Sequence, residues 1–225
     1  MNIALIIARA GSKRIKKKNI KFFFGKPVIA YSIKTALNSK IFSRVIVSTE
    51  SNRISEISKK YGAEIAFKRP KKLADDKTST ISVIKHAINK LSLNKKKINL
   101  CCIYPVAPLL TRKILISGYN KFQKLNADFL VTVLKKKKAR NRFFFINKNG
   151  FLYETKNKNK TLYQDAGQFY WGKSKSLLKF SSMFKGRVVP LIITEKNGID
   201  VNTSKDWKKL TNLYRQSNEA IKIKI

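Results

Sequence analysis

The sequence predicts an α/β fold of three layers, helices on both faces of a mainly parallel sheet. Three observations carry this. Short apolar or β-branched runs alternate with amphipathic helical stretches at close intervals from Asn2 to Leu134. Ile98–Tyr104 (INLCCIY) is nearly all apolar, as befits a strand covered on both faces. The chain has 225 residues, 43% of them hydrophobic, which suits one domain, residues 1–225, with a small excursion.

Taken in order, Asn2–Ala8 reads as the first strand. Its apolar run ends abruptly in Arg9, Gly11, Ser12, Lys13 and Arg14, followed by Lys16, Lys17 and Lys18. A glycine lets backbone N–H groups approach an anion closely, and the cations neutralise it. The stretch is therefore a candidate triphosphate loop, with a basic surface turn as the alternative. The run Phe22–Phe24 reads as core, and Pro27–Asn38 as a helix with proline at its first position. Arg44–Ser48 is a short strand, and Glu50–Tyr61 a helix stopped by Gly62. Glu64–Phe67 reads as a brief strand, and Thr78–Leu91 as a helix with Thr78, Ser79 and Thr80 as candidate caps. Ile98–Tyr104 is the next strand, Thr111–Leu125 a helix and Asp128–Leu134 a strand.

The rhythm then changes. Residues 135–165 are polar, basic and weakly periodic, and Asn147–Gly150 is a hairpin signal between Phe143–Ile146 and Phe151–Glu154. This reads as an inserted excursion from the sheet, a lid or a dimer arm. Ala166–Gly172 and Val188–Thr194 return to strand character, and Thr203–Tyr214 is a closing amphipathic helix.

Ligands of parallel α/β sheets bind beyond the carboxyl ends of the strands, so Arg9–Lys18, Thr49–Glu50 and Pro105–Pro108 should share one rim. The loop spacing excludes a Walker motif and a dinucleotide fingerprint. The formal charge of +38 comes from lysines spread along the chain. Two readings stand: drift in a strongly AT-biased genome, or a surface for a polyanion. Either raises on-rates for phosphorylated substrates. Cys101 and Cys102 are strand neighbours facing opposite ways, so no disulfide joins them. The single histidine, His86, has no zinc-type spacing around it and reads as a helix-face residue. No apolar run approaches a membrane span and the N-terminus lacks a signal pattern, so a cytoplasmic location is expected.

Acids number only 12, so their placement is informative. Asp200 is a candidate Mg²⁺ ligand, with a loop or cap role as the alternative. Asp206 reads as a cap or structural ion pair, and Asp75–Asp76 as loop chemistry. Phe169, Tyr170 and Trp171 read as packing residues, and Lys135–Lys138 as a solvated loop.

ARAGSKRIKKKNI (Ala8–Ile20) resembles the opening motif of the acylneuraminate cytidylyltransferases, or CMP-nonulosonic acid synthetases. The resemblance continues in order through VIVSTE (Val45–Glu50), YGAEIAFKRPKKLADD (Tyr61–Asp76), CCIYPVAPLL (Cys101–Leu110) and DVNTSKDW (Asp200–Trp207). CCIYPVAP and YQDAGQFYWG (Tyr163–Gly172) look most like the pseudaminic acid branch of that family. The resemblance implies a Rossmann-like three-layer α/β/α nucleotidyltransferase fold with residues 135–165 as a dimerisation arm. It implies a homodimer, no membrane partner, and transfer of CMP from CTP to a nine-carbon acid sugar with Mg²⁺ assisting. By position, Arg9, Ser12, Lys13, Arg14 and Lys18 would hold the CTP phosphates, with Ala8, Ala10 and Gly11 along the nucleotide and Arg69 serving the same site. Arg9, Lys18 and Asp200 would be catalytic, and Asp200 with Asn202 would hold the metal. Arg142, Lys156, Asp165, Gly167, Gln168 and Tyr170 would line the sugar pocket.

Three positions depart from the family pattern. Asn202 stands where the family has a second metal aspartate, Lys156 stands for a planar arginine, and Val106–Ala107 replaces a hydroxyl residue. Two alternatives remain: a related cytidylyltransferase for legionaminic, sialic or eight-carbon acid sugars, and a polybasic nucleic-acid-binding domain. The second lacks a nucleic-acid motif and has few aromatic platforms.

Overall fold

A computed structural model describes residues 1–93, 96–136, 142–157, 159 and 161–222. In chain order the elements are β1 (Asn2–Ile7), β2 (Phe22–Phe23), β3 (Lys26–Pro27), α1 (Ile29–Ser39), β4 (Arg44–Ser48), α2 (Asn52–Lys60), α3 (Thr80–Lys90) and β5 (Asn99–Ile103). They continue with α4 (Arg112–Lys124), β6 (Phe129–Lys136), β7 (Phe143–Ile146), β8 (Leu152–Thr155), β9 (Leu162–Lys173), α5 (Ser174–Lys179), β10 (Val188–Ile193) and α6 (Ser204–Lys222).

The apolar run of β1 places it inside the sheet, paired in parallel with β4 on one side and β5 on the other. The main path is β10-β6-β9-β5-β1-β4, with β7 and β8 added beside β9. Along that path β9 alone runs against its neighbours, β5 and β6, so the path is mostly parallel with one reversed strand inside it. Successive side chains alternate between faces, and two cores follow from that period. Ala4, Ile6, Cys101, Ile103 and Trp171 pack on one face against Ile29 and Ile33 of α1 and Leu115 and Phe122 of α4. Ile3, Leu5, Leu100, Cys102 and Tyr170 pack on the other against Ile81, Ile84 and Ile88 of α3 and Leu177 of α5. The two cysteines are thus free, buried and on opposite faces.

The helix starts follow their caps. Ser51, Ser79 and Thr111 each accept a hydrogen bond from the backbone N–H three residues on, so α2, α3 and α4 begin just inside the predicted bounds. Other expectations need correction. Pro27 belongs to β3, paired with Phe22, and α1 starts two residues later. Glu64–Phe67 forms no strand; Glu64 makes one isolated bridge with Ile46 before the chain turns away. Phe23 alone of its run is buried, among Tyr31, Trp207 and Tyr214, while Phe22 and Phe24 are exposed. The strand expected at Ala166–Gly172 extends to Leu162–Lys173, and α5 was not anticipated.

The excursion is built as the hairpin signal predicts. β7 and β8 pair across Asn147–Gly150, where the Asn147 side chain accepts from the N–H groups of Asn149 and Phe151. The hairpin joins β9 through Phe144 and Tyr163. Lys137 and Lys138 of the expected solvated loop, and Lys158 and Lys160 of the arm, lie outside the described residues. Among the described residues no helix is long and apolar enough to cross a membrane.

Candidate active site

The carboxyl ends of β1 and β5 open into a cleft of about 460 Å³. The chain leaves β1 at Ala8 and turns through Gly11, and the turn is held from several sides. The Asn19 amide donates to the Arg9 carbonyl at 2.8 Å, and the Arg9 guanidinium donates to the Gly11 carbonyl at 3.2 Å. The Ala10 N–H donates to Glu50 at 2.7 Å. The other Glu50 oxygen accepts from Arg69 at 2.9 Å, and Arg69 also donates to the Ala8 carbonyl at 2.8 Å. Arg69 is only 4% exposed, and its Nε has no partner. A buried guanidinium with one carboxylate and a spare N–H can donate to a further ligand oxygen.

Arg9, Ser12, Lys13, Arg14, Lys18 and Arg69 line this cleft. Ala8, Ala10 and Gly11 do not line it; their backbone groups are taken up by the bonds just described. Opposite stand Gly167, Asp200 and Asn202. Lys18 reaches across, its ammonium donating to the Val201 carbonyl at 2.7 Å. Burial holds the Lys18 ammonium below the usual lysine range, with Asp200 pulling the other way. Burial likewise pushes the Asp200 carboxyl up, against the Asn202 hydrogen bond and the Lys18 charge.

Asn202 turns its NH₂ to Asp200 and its oxygen to Arg14, the latter at 3.1 Å. A half-turn of the amide would exchange the two and present oxygen beside Asp200. Among the described residues no group of three or more His, Cys, Asp or Glu is arranged to hold a metal. One carboxylate and an amide oxygen suit a hard cation that takes its remaining ligands from nucleotide phosphates and water, as Mg²⁺ does. Asp206 serves as a cap, accepting from the N–H groups of Asn202 at 3.0 Å and Thr203 at 2.7 Å.

The residues expected around a sugar are placed differently from one another. Gly167 is in the cleft. Asp165 lies beneath it, accepting from the Gly167 N–H at 2.9 Å and the Tyr170 hydroxyl at 2.5 Å, and burial raises its carboxyl above the usual range. Tyr170 is itself buried. Gln168 does not line the cleft: it is 1% exposed and turned inward. Arg142 lies over the Phe184 ring and pairs with Glu154 at 2.7 Å, and Lys156 is exposed on the arm.

Two acids carry more than the sequence indicated. Glu50 ties the loop backbone to Arg69; its place at a strand end in an acid-poor chain was the available signal. Asp76 bridges Arg9 and Lys13, the latter at 2.9 Å, and these two cations hold its carboxyl below the usual range. Asp75 keeps the expected loop role, accepting from Lys77 and Thr78. His86 differs from the plain helix-face residue expected: both ring nitrogens are buried without a partner, beside the Phe67 ring.

The cytidylyltransferase family model matches residues 3–211. The chain belongs to the cytidylyltransferase family. Within it, the chain is 38% identical to the pseudaminic acid cytidylyltransferase of Campylobacter jejuni, over 97% of this chain and 98% of that protein. It is 27% identical to the CMP-N,N'-diacetyllegionaminic acid synthase of Legionella pneumophila, over 97% and 98% of the two chains. The fold matches CMP:2-keto-3-deoxy-manno-octonic acid synthetase, solved in complex with CTP, with a TM-score of 0.77 at 15% identity, covering 96% of this chain and 99% of that one.

Proposed function

We propose that this cytidylyltransferase transfers CMP from CTP to the anomeric hydroxyl of a nine-carbon acid sugar, pseudaminic acid in preference to legionaminic or sialic acid, and releases pyrophosphate. The observation that carries the reading is the cleft: Arg9, Lys13, Arg14 and Lys18 on one wall and Asp200 on the other, in a chain alike along its length to a pseudaminic acid cytidylyltransferase.

Arg9, Ser12, Lys13 and Arg14 bind the triphosphate, and Lys18 bridges from them to the Asp200 wall. Charge grows on the leaving pyrophosphate as the bond from the α-phosphorus breaks, and fixed cations there lower the barrier. Arg69 and the backbone of Ala8 and Ala10 orient the nucleoside. Asp200, with Asn202 beside it, holds the divalent cation, Mg²⁺. When bound, that cation neutralises phosphate charge and favours in-line attack by the sugar hydroxyl. Gly167 borders the sugar on the far wall, with Asp165 and Tyr170 packed beneath it, and Arg142 and Lys156 approach it from residues 135–165. The arm joins two protomers into a homodimer, the active form, in the cytoplasm. The excess of lysine steers both anionic substrates inward.

The test is pyrophosphate release with CTP against pseudaminic, legionaminic and sialic acids at several Mg²⁺ and Mn²⁺ concentrations. Turnover highest with pseudaminic acid supports the reading. No turnover with any of the three refutes it, and a preference for another acid corrects the sugar.

A further inference from the structure

We infer that Gln168 is a positioning residue for Asp200, acting through the backbone of the segment that carries it. The inference rests on the role given to Asp200 above.

The amide group of Gln168 is enclosed and committed. Its nitrogen donates to the carbonyls of Ala166 at 2.8 Å and Ile199 at 2.9 Å, with Gly167 at 3.2 Å. The Ile199 bond fixes the residue directly before Asp200. The two glycines complete the clamp. A Cβ on Gly198 would lie 2.5 Å from the Gln168 amide carbon, so the 198–199 backbone is pressed onto that side chain. A Cβ on Gly167 would lie 3.2 Å from the Asp200 carboxyl carbon, so the carboxylate rests on bare backbone. Gly167 also has φ +57°, a left-handed conformation that suits glycine there. The turn at Asp165–Gln168 sits where the pairing of β6 with β9 shifts register.

An apolar side chain of equal length would fill the same space. It would leave the Ile199 carbonyl without its donor, and the loop would be free to shift. Buried groups that orient a metal ligand typically carry a large share of its affinity, so loss of the clamp should cost roughly tenfold in metal binding. Arg14 and Lys18 bond to Asn202 and Val201 of the same segment, but Arg9 and Lys13 are held by Asp76 and the β1 turn, so CTP binding should suffer much less than metal binding.

The experiment compares the full-length protein with Gln168→Met, Gly198→Ala and Asp200→Asn. Mn²⁺ affinity is read by electron paramagnetic resonance, CTP affinity by calorimetry in EDTA, and folding by circular dichroism. The expected result is Mn²⁺ binding weakened about tenfold in both clamp variants, with CTP affinity within about twofold of the parent. Parental Mn²⁺ affinity in folded Gln168→Met overturns the inference, and if that variant does not fold, Gly198→Ala decides. Equal losses of Mn²⁺ and CTP affinity also overturn it, because they indicate collapse of the whole cleft. If Asp200→Asn weakens Mn²⁺ and the clamp variants do not, this inference alone fails. If Asp200→Asn keeps parental affinity, the metal role of Asp200 fails and takes the clamp with it.

Discussion

Removing the Glu50 carboxylate should cost more stability than removing any other acid in the cleft. Glu50 has a side-chain exposure of 13% and faces Arg69, whose side chain is 3% exposed, at 2.9 Å. Glu50→Ala leaves a buried guanidinium with only the Ala8 carbonyl as partner, and takes the acceptor from the Ala10 N–H. Breaking a buried pair by deleting one partner typically costs about 3–5 kcal/mol, and the slight exposure of Glu50 favours the low end, about 3 kcal/mol. In a chain of this size each kcal/mol lowers Tm by roughly 2–4 °C, so a fall of about 6–12 °C is expected. Glu50→Gln keeps an oxygen for Ala10 and should lose less. The assay is reversible thermal unfolding with and without CTP. Because bound CTP would offer acceptor oxygens to the Arg69 guanidinium that has lost its carboxylate, CTP should raise Tm of Glu50→Ala more than that of the parent. A loss below about 1 kcal/mol, with equal CTP shifts, would refute the reasoning.

Three further predictions follow from the same cleft and its surroundings. Asp76→Asn frees Arg9 and Lys13 from their carboxylate, so KM for CTP should fall in low salt and the difference fade in high salt; a raised KM contradicts this. His86 is held neutral by burial, its pKa below the usual range, so the unfolded chain binds the proton more readily. Stability should therefore decline as pH drops through the unfolded histidine value near ~6.5 towards the depressed folded one, and denaturant titrations should show His86→Leu losing that slope. Asn202→Asp adds a second carboxylate beside Asp200 and should lower the Mg²⁺ concentration for half-maximal turnover; an unchanged value removes position 202 from the metal site.

Much of this was legible because local chemistry and long-range structure agree. The apolar run into Arg9 and Gly11 announces a strand ending in a cationic turn, and the apolar β5 announces a strand with two covered faces. Among the candidate caps Thr78, Ser79 and Thr80, Ser79 starts α3, whereas the caps Ser51 and Thr111 of α2 and α4 emerged only in the structure. What stayed hidden depends on partners far away in the chain. Periodicity gives a strand but not its direction, so the reversal of β9 could not be read. Phe22–Phe24 has a core composition, yet a two-residue strand pointing alternately in and out buries only Phe23. Gln168 is polar and lies in a family motif, which suggested a ligand contact; its acceptor on Ile199 is 31 residues away. Glu50 acts through Ala10, 40 residues away, for the same reason.

The reversed strand gives the molecule a lever. Being antiparallel, β9 brings its first residues to the rim where its parallel neighbours end. Its 12 residues run from the arm hairpin to the centre of the sheet, interrupted by the irregularity at Asp165–Gln168. The triphosphate wall, by contrast, hangs on β1 and β4. The arm is thus joined through β9 directly to Asp165 and Gly167, and to the Arg9 loop only by way of Asp200 and Asn202. Such a layout lets acceptor choice diverge while the grip on the nucleotide stays constant.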